Sequence, residues 1–232
     1  MSFFKKYVIM KTVLTLMAMM TTVTSCYSTP TENSNTEIMN EKDILNAVKN
    51  NDIQAVRKAL ENGADVNTTD NSRRSLLLIA TNKTNIEMAK LLVKYGADVN
   101  QQADNLDSPF LYAGASGQTE LVQLFLQHGA RFDVFNRYNG SALIPACERG
   151  HIETVKLLAN TKNYPIDHVN RLGWTGLMEA IVLGDGSKKY QQIVQILKDA
   201  GAKMDIPDHD GITPLQHAQQ RGYKEIVTII KS

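Results

Sequence analysis

Cysteine is scarce in this chain of 232 residues: there are two, Cys26 and Cys147. Two allow one disulfide at most, which excludes a cysteine-stapled scaffold. Charge of one sign is not in excess either. From Cys26 onward, 22 Lys+Arg stand against 24 Asp+Glu. No basic field is available to neutralise phosphates, so nucleic acid is not an expected partner. The apolar run after Lys11, Thr12 to Val23, has only twelve residues. As a helix it rises ~18 Å, short of a ~30 Å hydrocarbon core.

Catalytic patterns are missing as well. His128, His151, His168, His209 and His217 form no pair at the four-residue spacing that places two metal ligands on one helix face. Gly184-Asp185-Gly186 lacks the Lys-Ser/Thr of a phosphate loop and the alternating carboxylates of a calcium loop. Asp208-His209-Asp210 reads as a solvated turn. Cys147, beside Ala146, reads as a packed and inert thiol with no base to activate it. No catalytic residue, metal ligand or cofactor is assigned, and the chain is not expected to be an enzyme.

The first segment has a distinct character. Lys5, Lys6 and Lys11 precede the apolar run, and no acidic residue occurs before Cys26. This is the shape of a signal peptide, over residues 1–25, and Met10 offers a second start. Val23-Thr24-Ser25-Cys26 resembles the bacterial lipobox. That resemblance implies lipidation of Cys26 and anchoring of the mature chain to a membrane through its lipid. Tyr27, in place of Asp, implies the outer membrane, facing the periplasm. Residues 26–40 comprise that Cys and a polar stretch, from Ser28 to Asn40, without apolar period; the stretch reads as a flexible tether.

Residues 41–232 are periodic. Gly63-Ala64-Asp65-Val66-Asn67 returns unchanged at Gly96 to Asn100, then as Gly129-Ala130-Arg131-Phe132-Asp133 and Gly201-Ala202-Lys203-Met204-Asp205. An apolar helical pattern precedes each copy, as in Met88-Ala89-Lys90-Leu91-Leu92-Val93. A fixed period of this size means stacked supersecondary units rather than one closed core. Ser75, Ser108, Ser141, Thr175 and Thr213 are placed to cap the first helix of each unit, and Pro follows two of them. The first unit begins near Lys42. Asn46, Lys58, Gln219 and Lys231 make the outer units more polar than the inner ones, as end units of a stack should be.

Pro109-Phe110-Leu111-Tyr112-Ala113-Gly114-Ala115-Ser116-Gly117 and Asp210-Gly211-Ile212-Thr213-Pro214-Leu215-Gln216-His217-Ala218 resemble ankyrin repeats. The resemblance implies an all-α solenoid of six helix-turn-helix repeats with β-turn fingers, near 42–74, 75–107, 108–140, 141–174, 175–212 and 213–232. It also implies a monomer that binds another protein through finger tips and a concave face. At His151, where the family favours His, it implies local hydrogen bonding. The repeats around Ala142 to His151 and Gly173 to Ala180 are similar to those of small secreted bacterial ankyrin proteins, some linked to periplasmic catalase and peroxide resistance.

Three departures stand out. Asn160-Thr161-Lys162-Asn163-Tyr164-Pro165 replaces Gly-Ala after the fourth repeat, so that finger is expected to change shape. Gly184 to Lys189 adds five residues between the helices of the fifth. Pro145 lies inside a first helix and is expected to distort its first turn. The expected contact residues lie in the same region: Arg137, Tyr138, Arg149, Arg171, Leu172 and Trp174. Trp, Tyr and Arg are enriched in interface hot spots because they combine large contact area with a polar handle. The sequence therefore reads as a non-catalytic interaction scaffold of the bacterial envelope. Two alternatives stay open: a metal- or ligand-binding helper of a periplasmic enzyme, and a membrane-anchored cytosolic adaptor.

Overall fold

The computed structural model describes residues 40–232; the leader, Cys26 and most of the tether lie outside them. Twelve helices follow one another in six antiparallel pairs. The first helices are α1 (Glu41–Lys49), α3 (Leu76–Asn82), α5 (Pro109–Ala115), α7 (Leu143–Arg149), α9 (Gly176–Val182) and α11 (Pro214–Gln220). The second helices are α2 (Ile53–Glu61), α4 (Ile86–Lys94), α6 (Thr119–Gln127), α8 (Ile152–Ala159), α10 (Lys188–Asp199) and α12 (Lys224–Lys231). First helices pack on first helices and second on second, so two parallel rows are built. The core lies between the rows as one continuous apolar cluster from Ile44 to Ile226. Asn46, Lys58, Gln219 and Lys231, on the end pairs, are exposed. This is the all-helical repeat stack expected from the sequence.

The caps follow from residue chemistry in five of the first helices. The side chains of Asn40, Ser75, Ser108, Thr175 and Thr213 accept from the third N–H of α1, α3, α5, α9 and α11. The first helix begins at Glu41, capped by Asn40.

The fourth pair departs, and here the expectation for Ser141 is corrected. In α3, α5, α9 and α11 the fourth N–H bonds back to the cap residue's carbonyl, as from Ile79 to Ser75. Pro145 holds that place in the fourth pair and has no N–H to give. Ala142, in helical conformation at φ −62° and ψ −27°, becomes the cap residue, and Ser141 is left with a buried hydroxyl that makes no hydrogen bond. The Leu143 N–H donates instead to the hydroxyl of Tyr164 at 3.1 Å.

The joints between pairs share one backbone turn. Gly63, Gly96, Gly129 and Gly201 take φ between 85° and 88°, the left-handed region open to a residue without Cβ. At the fourth joint, Asn163 takes φ 61°. Asn tolerates that region through its short polar side chain. Tyr164 then replaces Ala, and its N–H bonds to Thr161 rather than to the residue five back used by Ala64, Ala97, Ala130 and Ala202. The joint has therefore changed its turn while keeping its left-handed residue.

Successive fingers are tied side by side. The Asn67 side chain accepts from the Asp98 N–H at 2.8 Å, Asn100 from Arg131 at 2.8 Å, and Asp167 from Lys203 at 2.9 Å. The missing rung has a simple cause: Pro165 stands where the next N–H would be. Asp133, left without that donor, pairs with Arg131 at 2.8 Å instead.

The extra residues of the fifth repeat pack against their neighbours. The Tyr223 hydroxyl donates to the Gly184 carbonyl at 3.0 Å, and the Tyr190 hydroxyl to the Glu148 carbonyl at 2.7 Å. Tyr190 of α10 and Tyr223, just before α12, thus brace the loop.

Candidate functional site

Four of the five finger tips are each shaped by one short polar side chain, and Ala103 holds that place in the second. Asp70, Asn136, Asn170 and Asp208 accept from two backbone N–H groups two and four residues on, for example Asn170 from Leu172 at 2.9 Å and Trp174 at 3.1 Å. This is the turn chemistry that Asn and Asp supply best. The remaining valence of that side chain reaches the first helix in the last two repeats. Asn170 Nδ2 donates to Glu179 Oε1 at 2.8 Å, and Asp208 Oδ2 meets His217 Nε2 at 2.7 Å. The hydrogen bond from His217 holds the Asp208 carboxyl below its ordinary range.

Between helices α5, α7 and α9 and the fingers that precede them lies a cleft of about 510 Å³. Tyr138, Leu172 and Leu183 line it. They are three of the four exposed large apolar side chains among the described residues, at 54%, 51% and 49% exposure. Arg137 stacks on Tyr138, its guanidinium 4.8 Å from the ring centroid. Arg149 also lines the cleft and donates to the Ala115 carbonyl at 2.6 Å. Asp107, Glu148 and Glu179 supply the acidic lining.

Glu179 is the unusual member, being only 6% exposed. Burial, and then the neighbouring charge of Glu148, push its carboxyl up to about 7. Burial also raises Cys147, next to it in the fold, well above the ordinary thiol range, so that thiol is packed and unreactive.

A family model described as ankyrin repeats (3 copies) matches residues 44–136 and 110–208. The chain belongs to the ankyrin repeat family. The ankyrin repeat protein YahD of Escherichia coli K12 is 36% identical over 189 residues, 81% of this chain and 94% of that one. The crystal structure of an ankyrin repeat domain from Acinetobacter baumannii AYE is similar with a TM-score of 0.80 and 46% identity, covering 83% of this chain and 97% of that one. The human ASB11 ankyrin repeat domain is similar with a TM-score of 0.64 and 27% identity, covering 81% of each. Ankyrin repeats of this kind are scaffolds for protein–protein interaction and are generally non-catalytic.

Within the ankyrin frame, the six residues expected from sequence divide into two groups. Arg137, Tyr138, Arg149 and Leu172 line the cleft together. Arg171 and Trp174 do not. The Arg171 Nη1 donates to the Arg137 carbonyl at 2.9 Å and its N–H to the Tyr138 carbonyl at 2.9 Å, so it ties one finger to the next. Trp174 is half-buried beside the tip. Burial, and then the charge of Arg149, lower the pKa of His151.

Glu179 and Asn170 were not among the expected site residues. A sign of them was present: Glu179 lies nine residues after Asn170, and His217 nine after Asp208. The spacing links these two finger residues, Asn170 and Asp208, each to its own first helix.

Proposed function

We propose that this protein is a lipid-anchored, non-catalytic scaffold of the bacterial cell envelope that holds a partner polypeptide in the cleft of its third to fifth repeats. The observation that carries the reading is the gathering of three exposed apolar side chains, Tyr138, Leu172 and Leu183, in one concave site with two arginines. Exposed apolar groups concentrated in one place mark contact surfaces. Arg137, Tyr138, Arg149 and Leu172 make the central contacts, with Arg171 and Trp174 on the adjoining finger edge.

The anchor is a lipid on Cys26, with residues 1–25 removed as a signal peptide and residues 26–40 as the tether. It sits in the outer membrane, facing the periplasm, with the scaffold a monomer. The resemblance to secreted bacterial ankyrin proteins suggests peroxide resistance as the setting.

The test has two parts. In cells fed an alkyne analogue of palmitate, the wild-type chain becomes labelled and Cys26→Ser does not; equal labelling of the two removes the anchor. Cross-linking in intact cells then recovers a protein with the wild type that is lost with Tyr138→Ala/Leu172→Ala. Recovery unchanged by the double substitution removes the cleft.

A further inference from the structure

One buried side chain connects the cleft wall to a finger. Glu179, on α9, is only 6% exposed and lines the cleft. Its Oε1 accepts from Asn170 Nδ2 at 2.8 Å, and Asn170 Oδ1 in turn accepts from the Leu172 and Trp174 N–H groups at 2.9 and 3.1 Å. The fourth finger is thus fastened to its helix by a carboxyl, and Leu172 stands on that finger. No salt bridge reaches Glu179 among the described residues. On α7, Glu148 adds like charge, and Arg149, which donates to the Ala115 carbonyl, offsets only part of it. Cys147 beside them stays a neutral thiol. On α11, His217 is bound to Asp208, and on α10 the Lys189 ammonium lies over the Tyr190 ring. Across the cleft, Arg137 stacks on Tyr138, and Asp107 is a further acid.

We infer that Glu179 is a positioning residue for the cleft: neutral, it fastens the fourth finger and holds Leu172 in place; ionised, it turns toward the cleft mouth and lets that finger loosen. A buried carboxylate beside another acid is disfavoured by desolvation and by like charge, while the bond from Asn170 favours it. Burial and Glu148 outweigh that bond, and the carboxyl is raised to about 7. Relief by local opening needs only the loss of one hydrogen bond, whereas relief by unfolding needs the loss of a whole packed repeat. The fastened finger therefore prevails below about 7 and the loosened one above. The first finger has no such switch: Asp70 is held by Arg74 at 2.6 Å, and Arg keeps its charge throughout. For the scaffold reading above, on which this consequence rests, partner binding weakens as pH rises through neutrality.

Hydrogen exchange of the full chain in detergent, read by NMR at pH 6 and pH 8, tests this without a partner. Rates are divided by those of unstructured peptide at each pH, and the Ser72 and Arg74 N–H groups of the first finger serve as the reference. Protection of Leu172 and Trp174 should fall about fivefold or more at pH 8 against that reference, the factor that one hydrogen bond carries. Glu179→Gln cannot ionise and keeps an acceptor for Asn170, so it should hold protection at both pH values. Glu179→Ala should lower it at both. Histidines titrate in the same range, and a loss of protection that persists in Glu179→Gln would assign the change to one of them and overturn the role of Glu179. Protection flat with pH in the unaltered chain, or Glu179→Ala behaving as the wild type does at pH 6, overturns it as well. Any of these failures leaves the scaffold standing, whereas unchanged cross-linking in Tyr138→Ala/Leu172→Ala removes the scaffold's cleft and leaves the fastened finger untouched.

Discussion

The Tyr164 hydroxyl accepts from the Leu143 N–H at 3.1 Å, across 21 residues of chain. Two irregularities in the repeat pattern meet in this bond. Pro145 removes the N–H that would bond to the Ser141 carbonyl, and the altered joint after α8 supplies the acceptor for the Leu143 N–H. Tyr164 is 8% exposed, and its ring is 4.9 Å from that of Phe132, which in turn is 6.3 Å from Phe110. Burial raises its hydroxyl to about 12, so it stays protonated at any working pH.

Tyr164→Phe keeps the ring and removes the acceptor, leaving the Leu143 N–H buried and unmatched. A loss of about 1–3 kcal/mol is expected in urea unfolding. Pro145→Ala restores an N–H that can bond to the Ser141 carbonyl and reopens the ordinary cap. In that background Tyr164→Phe should cost less, with a coupling of at least ~0.5 kcal/mol in a double-mutant cycle. Strict additivity would show that the two departures are unrelated.

The displaced start of α7 also fixes Gly114. A Cβ there would lie 2.6 Å from Ala142 Cβ and 2.8 Å from its carbonyl oxygen, which is backbone and cannot swing aside. Helix propensity alone favours Gly114→Ala by roughly 1 kcal/mol. The clash outweighs that gain, and a net loss of about 1–3 kcal/mol is expected. A melting temperature raised by the substitution would refute the contact.

The rungs between fingers can be read one at a time by amide hydrogen exchange. Asn100→Ala removes the acceptor of the Arg131 N–H, so exchange at Arg131 should accelerate while Lys203, held by Asp167, is unaffected. The broken rung makes the complementary case. Pro165→Ala creates a donor opposite Asp133, and that new N–H should exchange slowly if the acid turns from Arg131 to meet it. Free exchange there would mean that the Arg131–Asp133 pair holds.

Stability should depend on pH through Glu179. Its carboxyl titrates near 7 in the fold against an ordinary 4.5 unfolded. Between these values the folded chain binds more protons than the unfolded one, so stability falls as pH rises through that window. The loss is complete above about 7, once both forms are ionised. Glu179→Gln should remove this slope, leaving a flatter profile of melting temperature between pH 4.5 and 7.5. Identical profiles would place the carboxyl in water rather than in the cleft wall.

The sequence itself determined the repeat and its architecture. Period, Gly at the left-handed joints, and Ser or Thr before each first helix are local signals, because each acts within one turn of its own position. With the ankyrin resemblance, they implied an inner, concave side that carries Tyr138, Leu172, Arg137 and Arg149. Tertiary structure decided what depends on distance between repeats. Pro145 marks a distorted first turn in the sequence, but only the tertiary structure brings Tyr164 from the next joint to accept from the Leu143 N–H. Arg171 and Trp174 matched the residue types of a contact site, but finger geometry gives Arg171 to the preceding finger and leaves Trp174 half-buried beside it. Glu179 looked like an ordinary helix acid. Only stacking α9 against α7, beneath the Asn170 finger, takes its carboxyl out of water and makes it the distinctive group of the cleft.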